Sequence, residues 1–326
     1  MILDHKFDLG FFPTPLHRIK NLSEKYAPYH IFIKRDDQTG LASGGNKTRK
    51  LEYLIQEALE NGCDTVITAG AQQSNHCRQT AAACAIAKLK CHLLLGGTAP
   101  QNYNGNLLLS HLLGAQIHFT VENRKGEDIY SLKNKLELEG KKPFIIPYGG
   151  SNITGALGFV NAVKELKTQL IAQNLKIDYL FFASSSGGTQ AGLTLGNDLY
   201  NLNMKLIPIG IDKSETQGLS LEEVVLHLVN EGKLLLNLKK EYTIDEVKIN
   251  NDYNEAGYGV ITENEKGAIK ELAENEGILL DPVYTGRAFY AMMDYLKKNK
   301  IRSNANILFW HTGGFPANFY YADQLK

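Results

Sequence analysis

Ser43-Gly44-Gly45-Asn46-Lys47-Thr48-Arg49-Lys50-Leu51-Glu52-Tyr53 sets a lysine where a double-glycine turn runs into a helix. Gly44 and Gly45 admit backbone angles and close approaches that a side chain would block. Asn46 is a favoured N-cap residue, and Leu51, Leu54 and Ile55 carry the apolar spacing of the following helix. Lys47 then sits in the first turn, beside unpaired amides and the positive end of the helix dipole. A cation is disfavoured there, and burial would disfavour it further. Both effects lower the amine pKa towards the neutral form that attacks a carbonyl. With Arg49 and Lys50 close by, the same residues also read as a basic helix start on the surface.

The chain has 326 residues, enough for a large core and for two domains. Hydrophobic residues make up 43% and charged residues 21%, the balance of an ordinary globular protein. Lys plus Arg and Asp plus Glu number 35 each, which argues against nucleic acid or anionic membrane as the main partner. No apolar run approaches the roughly 20 residues needed to span a bilayer. Met1-Ile2-Leu3-Asp4-His5-Lys6 lacks the apolar stretch of a signal peptide, so a cytoplasmic enzyme is expected. Cys63, Cys77, Cys84 and Cys91 form no Cys-x-x-Cys pair; Cys77 and Cys84, two helical turns apart, are expected on one helix face as buried free thiols. No His or Cys cluster has ligand spacing, and no metal is expected.

Outward from the lysine stretch, short apolar runs alternate with helical patterns. Ile31–Lys34, Thr65–Thr68, Cys91–Leu95, Gln116–Phe119, Phe144–Pro147, Tyr179–Phe182, Leu206–Ile211 and Ile307–Trp310 read as strands. Helices are expected over about 48–59, 75–88, 105–113, 128–139, 156–173, 265–275 and 286–297, with a further long one after Thr216. Around 250–263 the pattern turns polar and irregular. Such alternation predicts an α/β fold with a mostly parallel sheet and helices on both faces, because right-handed crossovers leave few other solutions.

Four more loops carry chemistry. Ser184-Ser185-Ser186-Gly187-Gly188-Thr189-Gln190-Ala191-Gly192 follows a strand and enters a helix, so exposed amides, hydroxyls and a helix dipole suit a phosphate. It is neither a Walker loop nor a spaced triple glycine, and an ordinary polar turn would look similar. Gln73-Ser74-Asn75-His76 stands at another strand-to-helix junction, where Ser74 or Asn75 could simply cap the helix. Asp281-Pro282-Val283-Tyr284-Thr285-Gly286-Arg287 and His311-Thr312-Gly313-Gly314-Phe315-Pro316 each lead into a helix, and Tyr284 alone would pass for a core aromatic.

Together these segments resemble the pyridoxal-phosphate enzymes of the tryptophan-synthase-β fold type, and within them the D-cysteine desulfhydrase and 1-aminocyclopropane-1-carboxylate deaminase family. The resemblance covers nearly the whole chain in five well-spaced segments. It implies two open twisted sheets flanked by helices with the cofactor between domains: a smaller domain over 48–162 inserted into a larger one formed by 1–47 and 163–326. It implies that Lys47 carries pyridoxal 5′-phosphate through its amine, and that Ser186, Gly187, Gly188 and Thr189 hold the phosphate with Lys50 as a neighbour. Asn75 would bond the ring hydroxyl, and Ser74 would lie near the substrate carboxylate. His76 would stand beside them, though a structural imidazole is an equal reading. Tyr284 and Tyr258, the latter in Ala256-Gly257-Tyr258-Gly259, would face the substrate. A homodimer is the family's usual state.

Thr285 and Thr312 match positions where the deaminase branch carries glutamate and leucine. A carboxylate at the pyridine nitrogen strengthens the electron sink that opening a cyclopropane demands; the hydroxyl of Thr285 there gives a weaker sink, sufficient when a β-thiol can leave. The resemblance therefore implies β-elimination from D-cysteine, with Lys47, Ser74, Tyr258 and Tyr284 as catalytic residues and Thr312 at the substrate. The alternatives are a 1-aminocyclopropane-1-carboxylate deaminase and, from another class, a non-catalytic phosphometabolite-binding protein.

Overall fold

The computed structural model describes residues 2–212 and 218–326, and within them nine strands fall into two sheets. The chain begins with β1 (Leu16–Arg18), α1 (Lys20–Lys25), β2 (His30–Arg35) and α2 (Lys47–Glu60). There follow β3 (Thr65–Ala71), α3 (Asn75–Ala87), β4 (Lys90–Gly96), α4 (Gly105–Leu112), β5 (Gln116–Phe119), α5 (Ile129–Leu138), β6 (Pro143–Ile145) and α6 (Ile153–Ala172). The remainder holds β7 (Tyr179–Ser184), α7 (Gly188–Leu199), β8 (Lys205–Gly210), α8 (Leu221–Leu235), α9 (Glu263–Glu276) and α10 (Thr285–Lys297). Last come β9 (Asn306–His311), α11 (Ala317–Tyr320) and α12 (Ala322–Leu325).

One sheet runs β1-β2-β9-β7-β8, the other β5-β4-β3-β6. Every strand pair is parallel except β1 with β2, an edge pairing. Parallel sheets need cover on both faces, and the strands are correspondingly apolar: Ile31, Ile33, Phe181, Ile307 and Phe309 are fully buried under α10. The second sheet takes all its strands from within the segment 48–162. Helix α6 packs on both α2 and α7 and so ties the lysine helix to the helix that follows the serine–glycine turn at 184–188.

The expected strands and helices are present with ends shifted by a few residues. Thr216 lies outside the described residues; the helix expected after it starts at Leu221, where Ser220 and Glu223 form a capping box. Strand β1 and helix α1 escaped the sequence reading because a three-residue edge strand and a helix reading Lys-Asn-Leu-Ser-Glu-Lys carry too little periodicity. One local expectation is corrected. Asn46 occupies the N-cap position with helical backbone angles, but its side chain makes no cap bond and donates instead to Thr189 Oγ1 at 3.2 Å. The exposed amide at Thr48 is taken from outside the helix, by Gln79 Oε1 at 2.9 Å.

The surface reading of the basic helix start is also excluded. Arg49 is 4% exposed and Lys50 fully buried. Arg49 grips Asp36 with Nε and Nη2, both at 2.8 Å, and its Nη1 reaches Glu165 Oε2 on α6 at 3.0 Å. Lys34 on β2 pairs with the same Glu165. Burial alone would raise the Glu165 carboxyl, but Arg49 and Lys34 outweigh it and hold it down to about 2.

Candidate active site

The loops at the carboxyl ends of the strands meet over a cleft walled by Lys47, Ser74, Asn75, His76, Tyr148 and Gly149 on one side. Ser186, Gly187, Thr189, Tyr284 and Thr312 wall the other. Lys47 is the first residue of α2, and its amine donates to Gly149 O at 3.0 Å. Lys50, one turn on, donates to the same carbonyl at 3.1 Å and to Ser151 Oγ at 3.1 Å. Burial pushes the Lys47 amine down to about 8. Burial, then the neighbouring Lys47 charge, pushes Lys50 well below its ordinary value. Among the described residues no carboxylate bonds either amine, which leaves the cleft short of negative charge.

An anion is what the facing loop can take. Gly187, at φ +85°, precedes α7, whose Gly188 amide points at Ser151 Oγ at 3.2 Å; Ser151 Oγ donates in turn to Ser186 Oγ at 2.8 Å. A side chain on Gly188 would meet the Lys50 amine at 2.8 Å, and one on Gly149 would collide with Ser186 Oγ. Two amines, two serine hydroxyls and a helix N-terminus thus surround a space that glycines keep open. The residues fit a phosphate-bearing aldehyde. Lys47 would hold the aldehyde carbon; Lys50, Ser151, Ser186, Gly187, Gly188 and Thr189 would hold the phosphate.

Ser74 caps α3, its Oγ accepting from Cys77 N at 3.2 Å, and also lines the cleft. His76 has a defined tautomer. Thr68 Oγ1 donates its proton to Ile146 O at 2.8 Å, so it accepts from His76 Nε2, also at 2.8 Å. His76 Nδ1 is then a buried lone pair without a partner among the described residues, on an imidazole kept neutral by burial and by the two lysines.

Tyr258 stands behind Tyr284: their hydroxyls lie 2.7 Å apart, and burial pushes both pKa values well up, keeping both protonated. Arg124 lies over the Tyr258 ring at 4.5 Å and donates to Tyr148 Oη at 3.1 Å and to Asp212 Oδ2 at 2.6 Å. Thr285 is fully buried behind the wall: its hydroxyl donates to Asp281 Oδ1 at 2.7 Å and accepts from Asp281 N at 2.7 Å. Thr312 reaches the cleft itself. The sequence reading did not single out Tyr148, Gly149 or Ser151, although Tyr148-Gly149-Gly150-Ser151-Asn152 has the strand–glycine–hydroxyl signature used for the 184–192 loop.

A family model described as pyridoxal-phosphate dependent enzyme matches residues 7–313. The D-cysteine desulfhydrase of Klebsiella pneumoniae (strain 342) is 42% identical over 319 residues, covering 96% of this chain and 95% of that protein. The D-cysteine desulfhydrase of Yersinia enterocolitica serotype O:8 is 40% identical and covers all of both chains. Among solved structures, that of an ACC deaminase homologue superposes with a TM-score of 0.90 at 36% identity, covering 99% of this chain and 97% of that one.

Proposed function

The chain belongs to the pyridoxal-phosphate-dependent enzymes, and from that premise we propose that it is a carbon–sulfur lyase converting D-cysteine and water to pyruvate, hydrogen sulfide and ammonia. The observation that carries the reading is the pair of carboxylate-free amines, Lys47 and Lys50, facing the serine–glycine turn across one cleft. A metabolite binder without chemistry would have no use for an amine already pushed down to about 8.

Bound there, the cofactor supplies an electron sink for the pair left when Cα loses its proton. Lys47 would anchor it, and the Lys47 amine, once free of that link, would be the base for that proton. Ser74 and Asn75, which line the cleft, would orient the carboxylate and the ring. Tyr284, backed by Tyr258, keeps its proton and can give it to the departing sulfur. Thr312 puts a hydroxyl in the cleft where the deaminase branch has leucine, and Thr285, whose hydroxyl is turned to Asp281, supplies no carboxylate where that branch has glutamate; both differences favour a substrate whose thiolate leaves readily. The 1-aminocyclopropane-1-carboxylate deaminase reading is kept as the second, since a structure of that description superposes closely.

Purified protein given D-cysteine, L-cysteine and 1-aminocyclopropane-1-carboxylate should release pyruvate fastest from D-cysteine, with equimolar sulfide. Faster pyruvate from the cyclopropane would overturn the assignment. For the cell, we place the enzyme in the cytoplasm as a homodimer. The free cysteines support the compartment, and the exposed Leu112 and Phe319, on the mutually packed α4 and α11, offer a second copy an apolar face.

A further inference from the structure

Arg78, one turn along α3 from Asn75, is fully buried, and among the described residues no carboxylate bonds it. Its guanidinium is spent on neutral acceptors. Nη1 donates to Asn75 Oδ1 at 3.1 Å and to Asn106 Oδ1 at 2.5 Å, Nη2 donates to Gly44 O at 2.6 Å, and Nε has no partner among the described residues. The acidic group acting on it is Asp281, whose carboxylate is itself engaged by the amides of Val283, Tyr284 and Thr285. A buried cation so poorly compensated weakens a fold unless its geometry serves something else.

That geometry fixes an amide. Asn75 Oδ1 accepts from Arg78 Nη1 and, at 2.9 Å, from Asn106 Nδ2. Asn106 is held in turn, its backbone amide on Gln73 Oε1 at 2.8 Å and its Nδ2 on Gln73 O at 2.9 Å. With two donors on its oxygen, Asn75 cannot flip, and its Nδ2, which donates to no protein acceptor among the described residues, turns to the cleft that Asn75 lines. The bond to Gly44 O ties the same rigid fork to the turn that presents Lys47.

We propose that Arg78 is a positioning residue for the cofactor's ring oxygen: with Asn106 it locks the Asn75 amide so that an N–H donor, never a carbonyl, meets that oxygen. The proposal rests on the pyridoxal-phosphate reading of the cleft. A donor on the ring oxygen draws charge from it and eases proton loss at the nitrogen linking cofactor to lysine. An unlocked amide can present its own oxygen instead, which repels the anionic ring oxygen and holds the proton on.

The test is the pH titration of the visible absorbance band of the lysine-linked cofactor, with no substrate present. Arg78→Gln should move the midpoint up by about one pH unit, the scale of one lost charge-assisted hydrogen bond, and Asn106→Ala should move it the same way by less. In an Asn75→Ala background neither change should add a further shift, because the group they act through is gone. Arg78→Lys keeps the charge but loses the fork, and should titrate like Arg78→Gln. An unmoved midpoint in Arg78→Lys, or a full extra shift in the Asn75→Ala background, would overturn the proposal. Should Arg78→Gln fail to fold, Asn106→Ala with and without Asn75→Ala reads the same coupling. Failure of the cofactor reading looks different, since the unaltered protein would then develop no visible band with pyridoxal 5′-phosphate.

Discussion

Lys47 owes its reactivity to where it stands. An amine at the start of α2, sharing one carbonyl with a second buried amine and facing no carboxylate, sheds its proton near pH 8 instead of above 10. Below that pH the protonated amine cannot attack an aldehyde; above it, the neutral fraction saturates. The rate at which cofactor-free protein links pyridoxal 5′-phosphate should therefore rise with pH and level off above about 8. A rate still rising steeply at pH 10 would show that the amine has its ordinary basicity. The sequence already pointed to this residue, through the glycines and the helix start. It could not orient the smaller polar groups around it. That His76 keeps a bare Nδ1 depends on where Thr68 sends its proton, and Thr68 sends it to Ile146 on another segment. Thr285 is the sharper case: it follows Tyr284 directly in the sequence, yet its hydroxyl turns back to Asp281, while Thr312 faces the cleft.

Helix α2 delivers both lysines, and what holds α2 in place is an ion network reaching through Arg49 to Asp36 and to Glu165 on α6, with Lys34 on β2 joined to the same carboxylate. Glu165→Gln leaves Lys34 without a carboxylate and Arg49 with Asp36 alone, and should cost about 3 kcal/mol of unfolding free energy in denaturant titrations. The carboxyl is depressed to about 2, so its contribution is fully present above the ordinary carboxylate range and lost as pH falls towards 2. The variant should accordingly be least different from the parent protein in acid. A uniform difference from pH 7 to pH 2 would show that the network does not act through charge. Elements with long periodicity were legible from sequence because their apolar faces repeat; β1 and α1 were not, being short and polar. The side-chain role of Asn46 was misjudged because Thr189, its actual partner, lies 143 residues away.

At the scale of the whole molecule, two mostly parallel sheets bring six distant segments to one cleft, and alternating strands and helices were enough to foretell a mostly parallel sheet. They did not foretell that the Tyr148–Ser151 turn enters the site, where Gly149 O receives both lysine amines and Ser151 joins one of them to the Gly188 amide. This convergence leaves one question above the others, which of two adjacent amines bonds the cofactor. Borohydride reduction of the cofactor-loaded protein fixes the linkage permanently, and peptide mapping then locates it. The label is expected on the peptide position of Lys47 alone. A label on Lys50, or none at all, would contradict the account.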